Sequence, residues 1–133
     1  MSSFELADRP VHLGLGATAV VLPPFDGTME WYQRYGEAHS DDGAEGRLVA
    51  LHRFEKDWST WEMHPRGAEL VLVTRGRMTL VQKVDGELVE TELTAGQAAV
   101  NPPGVWHTAK IEAPTEALFI TAGEGTVNAA EPG

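Results

Sequence analysis

From Arg47 onward the chain is a series of short apolar runs cut by turns, and this pattern restricts its fold more than any other feature. Arg47 to Phe54, Trp58 to His64, Ala68 to Thr74 and Met78 to Val84 each read as a strand. Glu87 to Leu93, Gln97 to Val100, Val105 to Ile111 and Ala117 to Thr121 continue the series. Lys56-Asp57, Arg75-Gly76, Asp85-Gly86 and Thr94-Ala95-Gly96 stand between runs as turns. Asp85-Gly86 is the strongest hairpin signal, because both residues tolerate the positive φ that a two-residue hairpin turn needs. Short strands with a turn every eight to twelve residues or so predict an all-β antiparallel sandwich or barrel. Its core is expected over about residues 47–121, inside a single domain spanning residues 1–133.

The flanks are less regular. Val11 to Leu22 reads as one or two strands, loosened by Gly14 and Gly16 and stopped by Pro23-Pro24. Met29 to His39 is expected to be a short helix, since Glu30 and Arg34 form an i,i+4 pair of opposite charge. Ser40 to Gly46 reads as a loop, and residues 123–133 as a loose tail.

Composition narrows the chemistry. A chain of 133 residues removes roughly two-thirds of its unfolded surface from water. The formal net charge of −10 repels phosphate backbones and anionic membranes, so neither nucleic acid nor membrane is an expected partner. With no cysteine there is no disulfide, thiolate zinc site or cysteine nucleophile, and any metal must be held by His, Asp or Glu. The N-terminal residues form no apolar h-region, so a secretory signal is not expected and a cytoplasmic location is the default.

Two segments carry the candidate chemistry. The first is Glu62-Met63-His64-Pro65-Arg66-Gly67-Ala68-Glu69, followed by Gly76; the second runs from Gly96 through Pro102 and Gly104 to His107. Strand alternation puts Glu62 and His64 on one face, with Trp58 and Thr60 beside them. Pro65 holds His64 extended, because the residue before a proline avoids the α region. Glu69, early on the next run, shares its face with Val71 and Val73. Two imidazoles and two carboxylates together suit a divalent metal.

These segments resemble the two sequence motifs of the cupins, small jelly-roll β-barrels that bind metals and small ligands. His64, Glu69 and Gly76 match the second histidine, the Glu and the Gly of the first motif. Gly96, Pro102, Gly104 and His107 match the second motif at every spacing. Glu62 stands where the family has its first histidine, Lys56 where the motif begins with Gly, and Ile111 where it ends with Asn. The resemblance implies a cupin-like antiparallel barrel, here with a short N-terminal helix. It implies a divalent metal ion (Fe, Mn or Zn) on His64, Glu69 and His107. Glu62 is either a further ligand or a catalytic base, and the added carboxylate favours these ions over copper. It also implies an enzyme on a small organic molecule, of dioxygenase, isomerase or hydrolase type. The alternative is a non-catalytic module that binds a sugar or metabolite around a partial metal site.

Trp58, Thr60, Phe54 and Trp106 are candidate substrate-pocket residues, with Met78 and Phe119 as further walls. His52 is expected in the structure or at the pocket rim, and His12 and His39 at the surface. Trp61, Met63, Leu70 and Leu72 fall on the face opposite the candidate ligands. That face is an apolar patch in need of cover, and a homodimer is expected to supply it.

Overall fold

The structure, a computed structural model, describes residues 2–133. Strands β1 (Val11–Gly14), β2 (Thr18–Val21), β3 (Arg47–Phe54), β5 (Glu69–Arg75), β8 (Ala98–Asn101) and β10 (Thr115–Thr121) form one antiparallel sheet, ordered β2-β1-β3-β10-β5-β8. Strands β4 (Trp61–Met63), β6 (Arg77–Val84), β7 (Glu87–Thr94), β9 (His107–Ile111) and β11 (Val127–Ala129) form a second, ordered β11-β4-β9-β6-β7. The architecture is the jelly-roll type, built as two sheets without one continuous ladder around a barrel. The β6–β7 hairpin turns at Asp85 (φ 51°) and Gly86 (φ 80°), the left-handed pair that the sequence announces.

Alternation decides what lies between the sheets. On β5, Glu69, Val71 and Val73 are buried while Leu70 and Leu72 are half-buried on the other side. Val71, Val73, Met78, Leu80, Leu93, Ala109, Ile111, Ala117 and Phe119 make the core, with Phe54 and Trp58 packed against it. Full burial of each large apolar side chain contributes about 1.5–3 kcal/mol relative to exposure.

Helix α1 (Met29–Ala38) begins at Thr28, whose hydroxyl accepts from Trp31 N at 3.2 Å. Trp31 is buried, edge-on to Phe25 and stacked on Tyr35. The loop expected over residues 40–46 contains a 3-10 turn, Ser40–Glu45. β1 and β2 are two strands, turned at Gly16 and Ala17 with positive φ.

Four expectations are corrected. The Trp58–His64 run is a ladder strand only over Trp61–Met63. Residues 57–60 are instead tied irregularly to β9: Trp58 N donates to Ala109 O, Ile111 N to Asp57 Oδ1, and Thr108 Oγ1 to Thr60 O. The C-terminal segment is not loose throughout, because Val127–Ala129 pairs with β4 as its edge strand. His12 is buried at 2% exposure and is not a surface residue, while His39 is half-buried. Finally, Trp61 and Met63 do not share a patch with Leu70 and Leu72. The two pairs lie on different sheets.

Candidate metal centre

Residues opposite one another in a ladder point to the same side of the sheet. One inward row of the six-stranded sheet is Thr121–Glu69–Asn101. One inward row of the five-stranded sheet is Glu62–His107–Gln82. The candidate centre sits where these rows meet, with His64 just beyond β4. Gln82 links them, since its Nε2 donates to Asn101 Oδ1 at 2.7 Å.

Inside this space His64 Nε2 lies 3.3 Å from Glu69 Oε2, and His107 Nε2 lies 3.2 Å from Glu69 Oε1. Glu62 Oε2 is 3.9 Å from His64 Nε2 and 3.8 Å from His107 Nε2. Donor atoms of Glu62, His64 and His107 lie within 4.8 Å of one another. Glu69 offers a different oxygen to each imidazole. The side chains of His64, Glu69 and His107 are at most 4% exposed, whereas Glu62 is 31% exposed and marks the open side.

Neighbouring groups fix where the imidazole protons sit. Thr126 Oγ1 donates to Gly123 O at 2.8 Å, so at His64 Nδ1, 2.8 Å away, it acts as acceptor. His64 therefore carries its proton on Nδ1. His107 Nδ1 faces Val105 O at 3.2 Å, a carbonyl that only accepts, so its proton is on Nδ1 as well. Both Nε2 atoms are left as lone pairs, buried and without a hydrogen-bond partner. They face carboxylate oxygens, and this convergence is repulsive until a cation or proton enters.

Glu69 is braced by Asn101 Nδ2 on Oε1 (3.0 Å) and Thr121 Oγ1 on Oε2 (2.6 Å). Burial pushes its carboxyl up, and positive charge on the two imidazoles, once their Nε2 atoms take protons, outweighs this and draws it well below the usual carboxylate range. Burial lowers His107, and the Glu69 charge overrides that so the net shift is upward. Glu62 is raised, first by burial and then by repulsion from Glu69.

The donor set fits a divalent ion. Metal bonds near 2.1 Å place adjacent donor atoms about 3.0–3.4 Å apart, the range that Glu69 keeps to both imidazoles. Glu62, somewhat farther, needs only a small inward movement.

The wall positions divide. Trp58 lies 6.3 Å from the His107 ring, 5.6 Å from Phe54 and 6.0 Å from Phe119, so these three rings form one side of the interior. Thr60 is exposed, because the strand that was to turn it inward ends at Trp61. Trp106, next to the inward His107, packs against Gly133. His52 is half-buried beside Phe119 and Phe25, a rim position. Sequence reading missed Asn101, Thr121 and Thr126. Asn101 lies inside the second motif segment, but Thr121 and Thr126 carry no local signal and reach the centre only through pairing of distant strands.

An interior His/Glu donor cluster between two jelly-roll sheets defines a class of small β-protein. The chain belongs to the cupin family: the family model for the cupin domain matches residues 51–123. No curated protein matches the sequence. Among solved structures, an oxalate oxidase is similar at 20% identity, TM-score 0.53, over 61% of this chain and 45% of its own. A cupin-2 domain containing protein from Shewanella frigidimarina is similar at 23% identity, TM-score 0.50, over 56% of this chain and 69% of its own. A hydroquinone 1,2-dioxygenase in complex with Cd2+ and 4-hydroxybenzonitrile is similar at 18% identity, TM-score 0.51, over 56% of each chain. The present chain thus spans less than half of the oxalate oxidase, and these likenesses are likenesses of fold. Among the described residues no helix is long and apolar enough to cross a membrane.

Proposed function

We propose that this cupin is a metal-dependent enzyme acting on a small organic molecule. The observation that carries the reading is the pair of unpartnered Nε2 lone pairs aimed among carboxylate oxygens in a buried space. His64, Glu69 and His107 hold the ion, of the Mn, Fe or Zn class, and Glu62 stands on the open side. When bound, the ion supplies Lewis-acid polarisation of a substrate oxygen or redox chemistry. Glu62 is the residue placed to move a proton, because its carboxylate stands on the open side, 3.9 Å from His64 Nε2 and 3.8 Å from His107 Nε2. Phe54, Trp58 and Phe119 exclude water and offer an apolar wall to the ligand. Trp58 Nε1–H is buried and unpartnered, a donor left for a ligand oxygen. Two fold relatives bear the names of enzymes on small organic molecules, oxalate and hydroquinone, which is in keeping with such a substrate.

The test is elemental analysis of protein purified without a histidine tag, followed by metal titration. One equivalent of ion at the interior centre supports the reading. A protein that neither retains nor takes up an ion there overturns it. Thr126→Val probes the proton assignment. It removes the acceptor for His64 Nδ1–H, frees the ring to turn, and is expected to weaken metal affinity about 10–100-fold. Because Thr126 is exposed, little stability is lost. An affinity within twofold of the native value, by calorimetry, counts against the assignment.

The assembly we propose is a homodimer through the back of the six-stranded sheet. Val21, Val11, Val49, Ile120, Leu70 and Val100 are successive ladder partners and form one apolar row across all six strands. Leu51, Leu118, Leu72 and Ala98 form the adjacent row. Six strands span roughly 24 Å at the usual spacing, wide enough for the core of an interface of about 800 Å² per partner. The charged groups lie at the ends of this face, Arg47 at one and the Arg53–Glu116 pair (2.9 Å) at the other. A second copy thus meets little of the chain's negative charge. Light scattering is expected to give twice the monomer mass, and Leu118→Glu to return it to the monomer mass with the fold retained. A native protein of monomer mass at all concentrations refutes the dimer.

A further inference from the structure

Outside the family match, a second group of donor atoms closes up beneath α1. His12 Nε2 lies 2.6 Å from Asp42 Oδ2, and His12 Nδ1 lies 2.7 Å from the Tyr35 hydroxyl. His39, at the end of the helix, packs on His12 with ring centroids 4.1 Å apart. One donor atom from each of His12, His39 and Asp42 lies within 4.8 Å of the other two. His12 belongs to the same inward row as Leu48, Thr121 and Glu69. Three strand spacings, roughly 14 Å, separate it from Glu69. The cluster is therefore a separate place on the same sheet.

We propose that His12, His39 and Asp42 form a second divalent-cation site, suited to zinc. Two imidazoles and one carboxylate are ligands that zinc accepts, and they leave a fourth position for water or a ligand atom. Tyr35 supplies the orienting contact that a ligating histidine needs: without an ion Nε2–H donates to Asp42 Oδ2 and Nδ1 accepts from the Tyr35 hydroxyl, and with the ion on Nε2 the ring takes the other tautomer, its Nδ1–H donating to the phenol oxygen. The packing explains two glycines. A Cβ at Gly14 would stand 2.6 Å from Asp42 Oδ2, and one at Gly46 would stand 2.9 Å from His12 Cε1. With bonds of 2.0–2.1 Å the ion needs Asp42 to withdraw from His12 by about half an ångström. Asp42 lies in the 3-10 turn with its side chain 25% exposed and its Oδ1 only loosely held by Leu15 N at 3.4 Å, so it has that freedom. A cavity of about 220 Å³, walled by Leu22, Pro23 and Trp31, reaches the edge of the cluster at Tyr35 and His39.

Zn2+ alone is the probe, titrated calorimetrically into the metal-free full chain and its variants, with circular dichroism to confirm folding. The native chain is expected to bind two equivalents. The His64→Ala, His107→Ala double variant retains one, and His39→Ala retains one. Asp42→Asn, which keeps the shape and removes the charge, weakens the second equivalent at least tenfold. Two equivalents persisting in His39→Ala, or none in the folded double variant, overturn the proposal. A single native equivalent lost with His39→Ala and kept in the double variant supports this site and sinks the interior one.

Discussion

His107→Ala is expected to weaken divalent-metal binding at the interior centre by more than about 100-fold. Removing only an orienting neighbour of a ligand costs 10–100-fold as a rule, and His107 is a direct donor. The imidazole is fully buried, with no exposed side-chain surface, so no outside group can replace its Nε2. Stability reports the same event. An ion at about 100 times its Kd stabilises the folded state by about 2.7 kcal/mol, several degrees in Tm for a domain of this size. That gain is expected in the His39→Ala background, where the N-terminal cluster does not contribute, and is expected to vanish when His107→Ala is added. An equal metal-dependent rise in Tm for both proteins would remove His107 from the centre and the metal reading with it. Without metal, the substitution also relieves the lone-pair repulsion described above, so it is not expected to unfold the protein.

Gly76→Ala is the second large effect, and it acts on the fold. Gly76 joins β5, which carries Glu69, to β6, which pairs with the strand of His107; the chain passes there from one sheet to the other. Its φ is +85°, and a Cβ would press into the Pro114 carbonyl oxygen and stand 2.9 Å from Thr115 Cα. Both obstacles are backbone, so no rotamer change relieves them. Left-handed backbone costs an L side chain about 1–2 kcal/mol, and overpacking adds about 1–3 kcal/mol. A loss of about 2–5 kcal/mol is expected in chemical denaturation. Gly86→Ala is the matched control: φ is +80° with nothing within 4 Å of the added Cβ, so only the conformational cost of about 1–2 kcal/mol applies. Equal losses at the two positions would show that the Pro114–Thr115 contact yields.

How far the sequence was legible varies with the range of the interaction. The Asp85-Gly86 hairpin and the strands around it follow from neighbours in the chain, and they stand where the pattern puts them. Thr60 illustrates a pattern carried too far. Alternation holds only while a strand is in its ladder, and residues 57–60 leave it to bond irregularly with β9. Trp106 stands just ahead of β9, outside the ladder, so alternation does not fix its side and only the packing against Gly133 shows it. His12 was not legible either. A lone histidine on a short Gly-flanked strand looks solvated until the helix, the 3-10 turn and Asp42 fold over it.

The sequence by itself determined the residue types of the centre, the turns that bend the chain back, and the faces that alternate along its longer strands. Those follow from φ preferences and from a period of two, properties that act within a few residues. Only the tertiary structure decided that the Thr121–Glu69–Asn101 and Glu62–His107–Gln82 rows face each other. It also decided that Thr126, from a segment expected to be loose, fixes the proton of His64. The reason is physical. Register between strands far apart in sequence is set by burial of whole apolar faces, and no local pattern records which residues then come to lie opposite one another.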